Sequence, residues 1–285
     1  MIHLVTFATD EMSRAVRRCI DSGFEHGIDN HARYDWGNMA HDMAFAEYRD
    51  RFHLPPFSAA RGAGLWAWKP LIVKAGLDWC NDGDILIYSD AGIEFINNLR
   101  YIIDRMDQDI FLFGNNWEHA HWCKRDIVDA VWPWTSARDI DGHELTWERF
   151  GKQVQASVIF FRVSDYTRKF VKEWLDWCLF EGGRLIDDSP SRTPNHPEFR
   201  ENRHDQAILT TMAYREGIKL HYWPAQYNDG AFSYEKLPEY AGDNYPTLFH
   251  HHRRRNWDWP VTDILIKEDC TTELAETWVG MRPAE

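Results

Sequence analysis

Asp90 stands where an apolar run stops, because Ile85, Leu86, Ile87 and Tyr88 are followed at once by Ser89, Asp90, Ala91 and Gly92. Such a run reads as a strand buried on both faces, which carries the Asp90 carboxylate to the carboxyl end of a core strand. In open α/β sheets ligand crevices lie at those ends, and a carboxylate there can hold a hard divalent cation against phosphates. An Asp before a small residue and a glycine also makes a plain turn, so the local sequence permits both readings. Lys69 comes next. Trp66-Ala67-Trp68-Lys69-Pro70 leads into Leu71, Ile72, Ala75, Gly76 and Trp79 at helical spacing, and Pro70 suits a first turn. That puts a cation just before a helix N-terminus, whose free N–H groups favour an anion. A third set, Arg203-His204-Asp205-Gln206, opens a helix running to about Arg215. There Asp205 is either a cap worth about 1 kcal/mol or an acid held at a site, and His204 is either a general base or a structural residue. His250, His251 and His252 offer imidazoles, but neighbours on an extended chain point alternately and do not grip one ion together. Arg253, Arg254 and Arg255 then serve as ligands for a diphosphate or as a solvated basic turn.

The elements that must carry these residues alternate. Ile2–Phe7 reads as a buried first strand, and Thr9-Asp10-Glu11 as an N-cap for a helix to about Ser22. Residues 26–64 are polar and His-rich, with a possible helix over 39–51 and a flexible approach through Arg61-Gly62-Ala63-Gly64. After the 84–88 strand come a helix over 99–106, a strand over 110–113, a loop-rich stretch over 132–152 and a buried strand over 156–161. Ser164-Asp165 caps an amphipathic helix with Phe170, Val171, Trp174, Leu175 and Cys178 on one stripe. Residues 181–202 form a polar loop long enough to be a lid or an insertion, and a further strand is expected over 219–223. The alternation predicts an α/β fold whose mostly parallel central sheet is flanked by helices. No internal repeat or low-complexity linker divides the chain, so one domain is expected.

Composition sets limits. The 285 residues are 44% hydrophobic, enough for a large core. A net charge of −13 argues against nucleic acid or an anionic membrane as partner. Five cysteines without a CxxC pair leave no complete disulfide framework and point to a reducing compartment. No basic leader and no apolar run of membrane-spanning length is found, so cytoplasmic residence and no integral membrane segment are expected. Fifteen tryptophans serve core packing and ring stacking alike and decide nothing by number.

Five segments carry a resemblance: Thr6-Phe7-Ala8-Thr9, Trp-x-Trp-Lys-Pro at 66–70, Ile-Tyr-Ser-Asp-Ala-Gly at 87–92, Ser-Val-Ile-Phe-Phe at 157–161 and His-Asp-Gln at 204–206. In this order they resemble nucleotide-sugar-dependent glycosyltransferases of the GT-A fold, over about residues 2–255. The resemblance implies a single Rossmann-like GT-A domain over 1–285. Its nucleotide-binding half would span about 1–115, its acceptor and catalytic half about 116–260, and a C-terminal tail 261–285. It implies transfer of a hexose from a nucleotide diphosphate sugar, expected to be a UDP-sugar, to a glycan or other hydroxyl acceptor, with retention, as in polysaccharide biosynthesis. The donor would be bound by Thr6, Ala8, Thr9, Arg61, Trp66, Trp68, Lys69, Ser89, Asp90, Ala91, Gly92 and Gln206, with Asp205 and His204 catalytic. Mn²⁺ or Mg²⁺ would be held by Asp90, His250 and His251. This chain has Gly92 where the family's Asp-x-Asp has its second acid, so a cation would draw on Glu94, a late histidine or water. The missing acid and the many tryptophans also fit a second class, a non-catalytic carbohydrate-binding protein on a degenerate transferase fold. A His/Asp metallohydrolase would need a His-x-His or paired-Asp spacing that the sequence lacks.

Overall fold

A computed structural model of the chain describes residues 1–132, 147, 149–227, 231–232 and 234–258. The expected tail at 261–285 and most of the expected loop over 132–152 lie outside the described residues. Seven strands form the central sheet: β1 (Ile2–Phe7), β2 (Asn30–Tyr34), β3 (Ile85–Ser89), β5 (Ile110–Glu118), β6 (Lys152–Val154), β7 (Val158–Arg162) and β8 (Leu220–Tyr222). Their order is β2-β1-β3-β7-β5-β6, with β8 pairing β5. A smaller sheet, ordered β10-β9-β11-β4, contains β4 (Ile93–Phe95), β9 (Ala225–Tyr227), β10 (Ala231–Phe232) and β11 (Phe249–His251).

In the central sheet β1, β2, β3, β5 and β8 run one way, and only β6 and β7 oppose them. The sheet is therefore mostly parallel, as the alternation predicts, and the two reversed strands make it mixed. β7 is the strand expected over 156–161. A strand buried on both faces has the same composition in either direction, so its antiparallel seat between β3 and β5 leaves no mark in the sequence.

Alternate residues of β1, β3, β5 and β7 feed two cores, as a period of two requires. Val5, Leu86, Tyr88, Leu112, Ile159 and Phe161 join one core, with helices α4 (Trp68–Trp79), α6 (Arg125–Val131), α7 (Asp165–Leu179) and α8 (His204–Arg215). Leu4, Ile87, Phe113 and Phe160 join the other, beside α1 (Ser13–Glu25), α5 (Arg100–Ile103) and the smaller sheet. Gly76 lets α4 lie close against β1 and β3: a Cβ there would stand 2.9 Å from Val5 Cγ1 and 3.0 Å from a Leu86 methyl. That close seat brings the start of α4 to the strand ends.

Several local expectations change. Thr9 accepts no capping bond through its side chain, and a single 3₁₀ turn, Asp10–Met12, precedes α1. The helix expected over 39–51 is replaced by α2 (Trp36–Met39), held by a capping box between Asp35 and Asn38, and two 3₁₀ turns, Met43–Phe45 and Arg49–Arg51. Local caps of this kind close short turns before a long helix can propagate. A short α3 (Gly62–Leu65) follows. The amphipathic helix at 165–179 forms as expected, with Ser164 in a capping box and Phe170, Val171, Trp174, Leu175 and Cys178 all buried. The 181–202 loop is tied down. Asp187 accepts from Lys124 at 2.7 Å, Asn202 donates to the Leu185 carbonyl at 2.9 Å, and Leu185 and Ile186 are buried.

Candidate active site

Three strand and helix ends converge on Lys69. The residue lies in the first turn of α4, and its side chain is almost wholly enclosed. Its ammonium donates to the Ala156 carbonyl at 3.0 Å, just before β7. It also stands 3.6 Å from Asp90 Oδ1, beyond the end of β3, and 3.4 Å from Asp205 Oδ2, in the first turn of α8. Asp90 is fixed from below: Tyr88 donates its phenol to Asp90 Oδ1, and the Asp90 amide donates to the Ser157 carbonyl at 2.8 Å.

The two carboxylates differ in access. Asp90 keeps 32% of its side-chain surface open, whereas Asp205 keeps 4%. Burial is the largest influence on Asp205 and pushes its pKa up to about 6, with Lys69 pulling the other way. For Lys69, burial disfavours the charged form, but Asp205 first and Asp90 second outweigh it and hold the ammonium above its ordinary pKa. Tyr88, fully buried and facing Asp90, is driven well above its usual range and stays a neutral donor. The result is a buried cation between an open and a closed carboxylate. Asp205 Oδ2 meets no hydrogen-bond donor in good geometry.

Lys69 was expected as a fixed cation just before a helix N-terminus. It lies inside the first turn, and its ammonium is held among a carbonyl and two carboxylates. Nor is Asp205 the cap of α8: Arg203 holds that position, and no side chain caps it. His204, at φ 51°, is buried and turns its Nδ1 to the Ile186 carbonyl at 2.6 Å. A carbonyl only accepts, so Nδ1 carries the proton and the Nε2 lone pair is left without a partner. Burial lowers the His204 pKa and keeps the ring neutral.

Trp66 packs on that ring, with centroids 4.8 Å apart. It is placed by a run of left-handed residues, Gly62, Ala63, Gly64, Leu65 and Trp66, a strained conformation of the kind that clusters at functional sites. Arg61 opens this run and bonds Asp188 of the 181–202 loop at 2.9 Å. Trp68, placed with Trp66 among the donor-binding residues, packs into the core. It is buried, stacks on Phe7 at 4.1 Å and donates to the Gly62 carbonyl at 3.0 Å, so one face and its donor serve the core. Ala8 and Ala91 close a small apolar cluster with Val16, which leaves their side chains no open surface. Thr6 and Ser89 are fully buried, and Thr6 Oγ1 has no partner. Thr9 is partly exposed at the rim, and Gln206 donates to Gln153 Oε1 at 2.6 Å.

The histidine run divides as strand alternation requires. β11 pairs β4 with His250 opposite Glu94 and His251 opposite Ile93. His250 Nδ1 lies 3.3 Å from Glu94 Oε2, while Arg18 grips the other Glu94 oxygen. Glu94 and His250 thus satisfy each other, and the expected help from either toward a cation at Asp90 is not available in this arrangement. His251 points the other way. Its ring packs on Tyr227 at 4.7 Å, its Nδ1 is buried without a partner, and it feels the charge of Asp90. Asp90 thus presents an open carboxylate, and His251 an Nδ1 without a partner while its Nε2 accepts from Arg253 at 3.4 Å. Arg253, at φ 53°, sits over Tyr227 and beside Gly92.

Sequence reasoning missed the Tyr88 phenol, the Ala156 carbonyl and the pairing of Lys69 with both acids. It also missed Trp117, Trp122 and Arg203, whose guanidinium lies 4.7 Å and 4.4 Å from the two indoles. The Arg203-His204 sequence was visible, but nothing in it names the distant tryptophans.

No family model and no curated protein matches the chain. Among solved structures it is similar to the apo form of mouse xyloside xylosyltransferase 1, with 11% identity, a TM-score of 0.45, and coverage of 92% of this chain and 100% of that one. It is also similar to the galactosyltransferase LgtC in complex with donor and acceptor sugar analogs, with 12% identity, a TM-score of 0.46, and coverage of 88% and 87%. A third similar structure is a glycosyltransferase involved in glycosylation of the major capsid of PBCV-1, with 10% identity, a TM-score of 0.41, and coverage of 88% and 92%.

Proposed function

We propose that the chain is a nucleotide-sugar-dependent glycosyltransferase of the GT-A fold. In this reading it moves a hexose from a UDP-sugar to a glycan or other hydroxyl acceptor, and works in the cytoplasm as one domain. The observation that carries the proposal is the Lys69-centred cluster: an open carboxylate at the end of β3 and a closed, raised-pKa carboxylate at the start of α8, joined by a buried ammonium. Perturbed charges gathered at the carboxyl edge of a parallel strand are the expected signature of a reaction site. The order of sequence motifs shared with that family supports the same reading, and the four described cysteines that are free thiols agree with a reducing compartment.

The donor diphosphate is assigned to the open side of Asp90. Mn²⁺ or Mg²⁺ held by Asp90 and His251 would supply neutralisation of the charge that builds on the leaving diphosphate. Asp205 is assigned to the sugar side, where its fixed negative charge stabilises the positive charge that develops at the anomeric carbon. Lys69 keeps Asp205 ionised above about pH 6 and holds its orientation. The bond from the anomeric carbon to the diphosphate oxygen breaks with its electron pair on the diphosphate. The acceptor oxygen forms the new bond, and its proton passes to the leaving diphosphate, which gives retention when both occupy one face. His204 enters as a positioning residue for Trp66, because its one proton is committed to Ile186.

Thermal unfolding with UDP and other nucleoside diphosphates, each with and without Mn²⁺, tests the assignment. Binding to the folded state should add about 2.7 kcal/mol of stability at a hundredfold excess over Kd. Stabilisation by UDP that Mn²⁺ enhances, and that Asp90→Asn and His251→Ala each weaken, is expected. No shift with any nucleotide contradicts the proposal, and a shift with sugars alone favours a carbohydrate-binding protein instead.

A further inference from the structure

A second cluster of metal-type ligands lies apart from Asp90. His121 and Glu198 approach to 2.9 Å between Nε2 and Oε2. His196 brings its ring centroid to 5.4 Å from that of His121. One ligand atom from each of the three residues lies within 4.8 Å of the other two, and among the described residues no other group of three His, Cys, Asp or Glu side chains does this. The two imidazoles are half-buried, and the carboxylate is exposed.

The backbone fixes these ligands before any ion arrives. His121 ends a 3₁₀ turn, His119–His121, and its carbonyl accepts from the Arg200 amide at 2.8 Å, which ties the two segments together. His196 Nδ1 accepts from the Glu198 amide at 3.1 Å. That bond occupies the Nδ1 lone pair in the ion-free chain; ligation through Nε2 takes the tautomer with the proton on Nδ1, so an arriving ion exchanges this bond for a metal bond. Asn195 is held in turn, its Oδ1 accepting from the Arg125 amide at 2.8 Å and from the Ser191 hydroxyl at 2.7 Å. Two imidazoles and a carboxylate are a donor set for Zn²⁺ rather than Mg²⁺, which prefers oxygen and keeps its waters. Tetrahedral zinc bonds of 2.0–2.2 Å set ligand atoms about 3.4 Å apart, so small side-chain rotations bring all three to one ion.

We propose that His121, His196 and Glu198 form a zinc site with a fourth position open to water, which clamps the 195–200 segment to the end of β5. The clamp bears on α8. His121 precedes Trp122, whose carbonyl accepts from the Arg203 amide at 3.1 Å and whose ring lies under the Arg203 guanidinium. Arg203 directly precedes His204 and Asp205, so the ion stiffens the approach to the helix that carries them.

Calorimetric titration of the full chain, stripped with chelator, with ZnCl₂ tests this, with MgCl₂ as the comparison. One equivalent of Zn²⁺ should bind. H196A, H121A and E198Q should each weaken that binding by at least about tenfold, the scale for loss of a metal-site group. H251A should leave it intact. Melting temperatures in EDTA show whether each variant is folded. Zn²⁺ should raise the melting temperature of the wild type and not that of H196A. Absence of zinc binding overturns the proposal, as does binding that survives in the H121A/H196A double variant or is abolished by H251A.

Discussion

Lys69 governs the charge of the site, and the consequences of changing it follow from counting its partners. Removing Asp205 as a charge leaves Lys69 paired with Asp90, whereas removing Lys69 leaves two carboxylates with no cation between them. Breaking a buried ion group by deleting its one cation typically costs about 3–5 kcal/mol. Lys69→Met should show such a loss by urea unfolding at pH 8. At pH 5 the loss should be smaller, because Asp205 can take up a proton and relieve the repulsion. Equal losses at the two pH values would mean that the cluster is not held by charge. The sign for Asp205 itself is the reverse of the usual acid. Its folded pKa is raised to about 6 from 3.8, so its contribution to stability is fully present below pH 3.8 and is lost as pH rises through 6. Activity that needs the carboxylate should therefore rise through about pH 6, while this residue's contribution to stability falls. Asp90 was legible at this scale because the apolar run before it stops so sharply. The partners of Lys69 were not legible, since Ala156 is 87 positions away and nothing near Lys69 in sequence points to it.

Among the elements, the left-handed segment at 62–66 has the sharpest requirement. A Cβ on Gly64, at φ 111°, would lie 2.8 Å from the Phe57 carbonyl oxygen, while one on Gly83, at φ 86°, would meet nothing within 4 Å. Gly83→Ala should thus show backbone strain alone, about 1–2 kcal/mol. Gly64→Ala should cost more, about 3 kcal/mol, once the steric conflict is added to the strain. It should also lower turnover, because Trp66 loses its seat on His204. Chemical denaturation of both variants checks the order, and equal losses would remove the role given to the segment. The sequence marked this stretch as flexible from its glycines, yet three of its residues with positive φ are not glycine. The contacts that accompany this conformation lie elsewhere in the chain: Trp36 donates to the Ala63 carbonyl at 3.2 Å, and Trp66 packs on His204. β11 illustrates the same limit. Alternation established that adjacent histidines diverge, but which one faces Asp90 depends on the register that sets His250 against Glu94.

For the whole molecule, the α/β class and the mostly parallel sheet followed from alternating buried runs and helical stripes. The reversed strands β6 and β7, the second sheet and the parallel seat of β2 at the edge did not, because they depend on partners distant in sequence. Those unforeseen pairings build the site: the residues leading into β7 supply the carbonyl under Lys69, and β11 brings His251 beside the acidic turn. The central claim is that this convergence is a sugar-transfer centre, with Asp205 acting on the anomeric carbon rather than supporting the helix. Donor turnover with water as acceptor needs no knowledge of the natural acceptor, so release of free sugar from a panel of UDP-sugars is the most direct measurement. The wild type should consume at least one donor, and Asp205→Asn should lower that rate by about a hundredfold or more with little change in melting temperature. Failure to consume any donor, or an Asp205→Asn variant as fast as the wild type, would contradict the claim.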